Sequence, residues 1–127
     1  MGRYVQWIEH KGKRILFADY SGTKEEAVYL GAIEETEAEL LGQPAGRTIL
    51  MLLDVTDTRL TPAVTERSKQ MAAAAEARGI PESPTAIVGL SGFQKAVVQA
   101  MQFFHKGLYT TDSMEAAKEW LVSRPQV

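Results

Sequence analysis

The chain has 127 residues, the length of one ordinary domain, and 45% of them are hydrophobic, which makes folding the expectation over disorder. Its 14 basic and 16 acidic residues give a formal net charge of -2 with the signs intermixed, so no basic field argues for nucleic-acid binding. Cysteine is absent, which excludes disulfides, thiolate nucleophiles and cysteine-held clusters and fits a reducing, cytoplasmic setting, while no apolar run is long enough for integral membrane association.

Tyr4 to His10 and Arg14 to Tyr20 are aromatic and β-branched enough to read as two strands, and the Lys11-Gly12-Lys13 break between them predicts a hairpin. The opening Met1-Gly2-Arg3-Tyr4-Val5-Gln6-Trp7 leads into this strand pattern instead of a signal-peptide core. Ser21-Gly22 ends the extended run, and Thr23 with Glu26 has the spacing of a capping box, predicting a helix from Thr23 toward Leu41. Ala27, Leu30, Gly31, Ala38 and Leu41 share its expected inward side. Tyr29, Ile33 and Leu40 lie on a neighbouring side, where they either complete the core or form a self-interface.

Gly42-Gln43-Pro44-Ala45-Gly46 breaks the chain before Thr48 to Val55, whose continuous hydrophobicity predicts a central strand covered on both faces. Thr61-Pro62 is a helix start, because the threonine hydroxyl can cap and proline loses no needed donor there; the helix should run to about Arg78, with Val64, Met71 and Ala75 inward. Thr85 to Leu90 reads as a further buried strand. An amphipathic helix follows from Phe93 to about His105, built on Phe93, Val97, Ala100 and Phe104. Leu108-Tyr109-Thr110 supplies a last strand, and Asp112 with Glu115 marks the start of a terminal helix carrying Ala117, Trp120 and Leu121. The order β-β-α-β-α-β-α-β-α, without a linker, predicts one compact α/β domain over 1-127, a mixed β-sheet flanked by helices.

Few residues carry chemistry. His10 and His105 are isolated from any metal-ligand pattern, so no metal site is expected. Asp19 and Asp54 each end a predicted strand, where loops of open α/β sheets form ligand crevices; the simpler reading of both is turn formation. Asp54, Thr56, Asp57, Thr58 and Thr61 form the densest polar segment, suited to a partner or ligand surface and equally to ordinary loop and cap roles. Ser91 and Gly92 stand between a strand and a helix, but Gly89-Leu90-Ser91-Gly92 matches neither a P-loop nor a nucleophile elbow, and no catalytic residue or cofactor is assigned. Trp7 and Trp120 are expected to complete the core.

With Phe17-Ala18-Asp19-Tyr20-Ser21-Gly22 closing the hairpin, Ile49 to Thr56 as the central strand, Val88 to Phe93 as a strand-to-helix segment and Thr110 to Leu121 at the end, the chain resembles the SpoIIAA-like branch of the STAS superfamily. That branch includes anti-sigma-factor antagonists. The resemblance implies a mixed sheet covered mainly by helices and a non-catalytic protein-binding or regulatory module. In phosphoregulated members an Asp-Ser-Ser-Gly-like sequence presents a modifiable serine; Asp57-Thr58-Arg59-Leu60 stands here instead, leaving Thr58 as the candidate phosphorylation site. A more distant SEC14-like resemblance implies the alternative of a small apolar or lipid-like ligand, and an unrecognised hydrolase is the third reading. A homodimer through Tyr29, Ile33, Leu40 and Phe103 is a further expectation.

Overall fold

The computed structural model describes residues 4–80, 83–92, 94–95 and 107–124. Five strands, β1 (Val5–His10), β2 (Lys13–Asp19), β3 (Leu50–Asp54), β4 (Thr85–Val88) and β5 (Leu108–Thr111), form one sheet in the order β1-β2-β3-β4-β5. β1 runs antiparallel to β2, and every later pair is parallel. The mixed α/β architecture expected from the sequence is therefore present. The hairpin loop is the two residues Lys11 and Gly12, with φ of 51° and 80°; two consecutive positive φ values match the right-handed twist of the flanking strands. Lys13 then pairs with His10, so β2 begins one residue earlier than the sequence suggests.

Helices α1 (Glu26–Leu41) and α2 (Pro62–Ala77) pack together on one face of the sheet, over Leu16, Ala18, Met51 and Ile87. On the other face, α3 (Met114–Val122) covers Ile15, Leu50, Leu52, Ala86 and Val88 with Ala117 and Leu121. Alternate residues of β2 and β3 thus enter different cores, as strand geometry requires, and both faces being covered explains the unbroken hydrophobic run of β3. Trp7 and Trp120 pack against opposite cores, each half-buried. Of the helix expected from Phe93 to His105, only Gln94 and Lys95 fall within the described residues, and both are helical.

Several local expectations are corrected. Thr23 does not cap α1: Glu25 holds the cap position without a side-chain bond, and Thr23 is buried in a turn in which its N–H donates to Tyr20 O and Gly22 takes φ 75°. The buried stripe of α1 is Tyr29, Ala32, Ile33, Thr36 and Leu40, not the Ala27 to Leu41 side. At 4%, 1% and 2% exposure, Tyr29, Ile33 and Leu40 lie inside this chain's own core, so they have no surface left for the self-interface proposed for them; Phe103 lies outside the described residues. The 4-3-4 spacing of 29, 33, 36 and 40 is the reason, since it makes one continuous ridge of large side chains facing the sheet. The terminal cap is Ser113, whose Oγ accepts from Ala116 N at 3.1 Å, one residue beyond Asp112. At α2 the expectation stands: Thr61 Oγ1 accepts from Val64 N at 3.2 Å, proline follows at the first helical position, and Val64, Met71 and Ala75 are the buried residues.

Candidate functional site

The carboxyl ends of the parallel strands bring most of the singled-out polar residues to one end of the sheet. Asp19 and Asp54 are partners in the β2–β3 register. Each builds the same turn. Asp19 Oδ1 accepts from Ser21 N at 3.1 Å and Ser21 Oγ at 2.6 Å, and Asp54 Oδ1 accepts from Thr56 N at 3.0 Å and Thr56 Oγ1 at 2.6 Å. An Asp two residues before a hydroxyl residue is the sequence from which such turns form, because the short carboxylate reaches the backbone donor that the ending strand leaves unmet.

The two turns are stitched to each other. Tyr20 N donates to Asp54 O at 2.9 Å and Gly22 N to Thr56 O at 2.9 Å, continuing the sheet's bonding past the strand ends. Turn formation, the simpler reading of both aspartates, matches these bonds, and the strand order 1-2-3-4-5 contains no reversal of the kind that opens ligand crevices in other α/β sheets. Among the described residues, no group of three or more histidines, cysteines and carboxylates is arranged to hold a metal ion.

Thr58 is the hub of the loop between β3 and α2. Its Oγ1 donates to Val55 O at 2.7 Å, and Gln94 Nε2 donates to Thr58 O at 3.2 Å and Oγ1 at 3.4 Å. Burial raises the Tyr29 pKa, and the neighbouring Thr58 side chain opposes that only in part. Gln94 performs a second task. Ser91 Oγ accepts from Gln94 N at 3.2 Å while Gln94 Oε1 accepts from Ser91 N at 2.9 Å, a reciprocal cap at the start of the next helix. With only 6% of its surface exposed, the Gln94 amide fixes the loop from below. Gln94 is not among the residues expected to form the site, and the signal that marks it in the sequence is the capping-box spacing of Ser91-x-x-Gln94.

What faces solvent is the loop's outer rim. Thr56, Asp57 and Arg59 are exposed, as are Ser91 and Gly92. Asp57 has φ 56°, the left-handed region, and its carboxylate meets Lys24 Nζ at 3.3 Å across the loop. Thr61 caps α2 and also donates from Oγ1 to Glu26 Oε1 at 2.6 Å, tying the starts of α1 and α2 together. The backbone of this rim is pressed against Gly89, where φ is 87° and a Cβ would stand 2.8 Å from Thr56 Cα. Asp19, Asp54, Thr56, Asp57, Thr58, Thr61, Ser91 and Gly92 therefore share one end of the molecule, with Asp57 and Thr56 on its surface and Thr58 half-buried beneath them.

A five-stranded mixed sheet with two helices packed on one face and the terminal helix on the other is a SpoIIAA-like fold. An uncharacterised protein of the DUF3478 family from Shewanella loihica PV-4, described as having that fold, superposes with a TM-score of 0.68 over 92% of this chain and 91% of its own, at 17% sequence identity. No protein-family model matches the chain, and no curated protein matches it.

Proposed function

We propose that this chain is a non-catalytic protein-binding or regulatory module of the STAS type, and that its partner surface is the rim formed by Thr56, Asp57 and Arg59 with Ser21–Gly22 and Ser91–Gly92 beside it. The observation that carries the reading is Asp57. A non-glycine residue in the left-handed region, exposed at a loop tip and held there by bonds beneath it, is a pre-shaped recognition element, and such backbone outliers gather at functional positions. The likeness to a SpoIIAA-like structure supports the class, and the turns that are stitched shut favour recognition by a rigid surface over chemistry in a cleft.

Thr58 is the regulatory residue of the same proposal. A kinase that transfers a phosphoryl group from ATP to Thr58 Oγ1, with loss of the hydroxyl proton, removes the donor that Val55 O receives and puts negative charge next to Gln94. The loop must then leave its place, and the rim changes shape. The test is affinity capture of a protein partner followed by calorimetric titration with variants. Asp57→Ala should weaken that partner's binding at least tenfold with secondary structure retained, and Thr58→Glu should weaken it further while shifting the amide resonance of Gln94. Equal affinity for wild type and Asp57→Ala would overturn the assignment of this surface.

A further inference from the structure

At the opposite end of the sheet, where β2 and β3 begin, lies an open cleft of about 250 Å³ whose lining includes Trp7, Lys13, Arg14, Gln43, Arg47 and Thr48. Two of its lining residues are arginines and none is a carboxylate, in a chain whose net charge is -2. We propose that this cleft is a binding site for a small, soluble phosphorylated molecule, with Arg47 and Arg14 as the phosphate-holding groups.

The cations are not equivalent to ordinary surface charges of this protein. Lys11, in the same hairpin, is neutralised by Glu119, and on other surfaces Lys24 meets Asp57, Arg67 meets Glu37 and Lys95 meets Asp112. Among the described residues neither Arg14 nor Arg47 forms an ion pair with a carboxylate. Arg14 instead lies over the Trp7 ring, 4.3 Å from its centroid, and Glu39 Oε1 accepts from Trp7 Nε1 at 2.7 Å, so both the indole and the guanidinium above it are held in place. Lys13 reaches the other face of the sheet instead, donating to Val122 O at 2.7 Å at the C-terminal end of α3, so the two arginines are the cations left to this cleft. Arg47 is exposed and directly precedes Thr48, which is buried. A concave wall with like charges concentrates an oppositely charged solute, and guanidinium groups offer phosphate paired donors in a fixed plane. The preference for phosphate over a simple carboxylate follows from donor number: two guanidinium groups line the cleft, and a diphosphate carries enough oxygens and charge to meet both.

The cleft is far from the Asp57 rim, and this proposal does not depend on the one made for that rim. Inorganic diphosphate is the probe, titrated into the intact chain at low salt with two readouts, calorimetry and the amide resonances of Gly12, Arg47 and Thr48. Saturable binding is expected, with those amides shifted. Arg47→Glu should weaken it at least tenfold, and Arg47→Lys, which keeps the charge but not the paired donors, should fall between; Lys69→Glu on exposed α2 should bind as wild type does. Raising salt should lower affinity steeply. Absence of saturable binding, or equal affinity in Arg47→Glu, would overturn the proposal. Attachment of the chain to phosphatidylglycerol vesicles without any binding of free diphosphate would equally overturn it, because the cleft would then serve a membrane headgroup.

Discussion

Thr36 stands fully buried in the middle of α1, where a polar side chain is costly unless its bonds are met. Its hydroxyl donates to Ala32 O at 2.9 Å and meets the Tyr20 hydroxyl, so two buried hydroxyls satisfy each other. Burial pushes the Tyr20 pKa far above its ordinary value, the bond to Thr36 opposing that only in part. Thr36→Val leaves the Tyr20 hydroxyl orphaned and should cost about 1–3 kcal/mol in a denaturant titration, whereas the double variant Tyr20→Phe, Thr36→Val should recover much of that loss. The raised pKa also fixes a sign. Stability from neutral Tyr20 is fully present below the tyrosine value of the unfolded chain, about 10, and is lost as pH climbs toward the folded value. Alkaline unfolding should therefore begin above that point and be delayed in Tyr20→Phe. Gly89 makes a second demand of this kind: Gly89→Ala introduces a Cβ at φ 87° and against the Thr56 backbone, and should lose about 2 kcal/mol or more by the same titration.

Between α1 and α2 the fixed point is Arg67, whose guanidinium donates to both Glu37 oxygens, at 2.8 Å and 3.0 Å. That hydrogen bonding holds the Glu37 carboxyl below its usual range, against a smaller opposing effect of burial. The stabilisation is present above the unfolded glutamate value of about 4.3 and disappears as pH falls through the lower folded value. Glu37→Gln should thus cost about 0.5–1 kcal/mol at pH 7, and the difference from wild type should vanish in acid, measured by denaturant titrations across pH. These helices also mark what could be read beforehand. The start of α2 was readable at Thr61-Pro62 because capping is local, and β3 was readable because a strand covered on both faces is hydrophobic throughout. The inward face of α1 was not. Glu35 Oε1 accepts from Tyr4 N at 2.8 Å and Val5 N at 3.1 Å, and Glu39 accepts from Trp7, so acids sit beside the buried stripe with partners some thirty residues away. No local periodicity encodes such partners, and the resulting helix shows polar residues on every side. Thr23 failed as a cap for a related reason, its place in the turn with Tyr20 being set by the sheet. At the candidate site the Asp54–Thr61 segment was visible as a polar run, but Gln94, which anchors it, comes from a helix start in another part of the chain.

Taken whole, the molecule has two unlike ends. One gathers Asp19, Asp54, Asp57 and Asp112 after the parallel strands, and the other holds Lys13, Arg14 and Arg47 before them. The sheet between them is covered on both faces, and among the described residues no helix is long and apolar enough to cross a membrane. Because α1, α2 and α3 all pack on this one sheet, we expect unfolding as a single cooperative unit, with fluorescence of Trp7 and Trp120 and far-ultraviolet dichroism tracing coincident transitions. The end that carries Asp57 is the proposed recognition surface. Mapping amide chemical-shift changes on the isotope-labelled chain while a captured protein partner is added tests this directly. Shifts concentrated at Thr56 to Arg59, Ser21–Gly22 and Ser91–Gly92, and diminished in Asp57→Ala, are the predicted result; shifts centred elsewhere, with those residues silent, would contradict it.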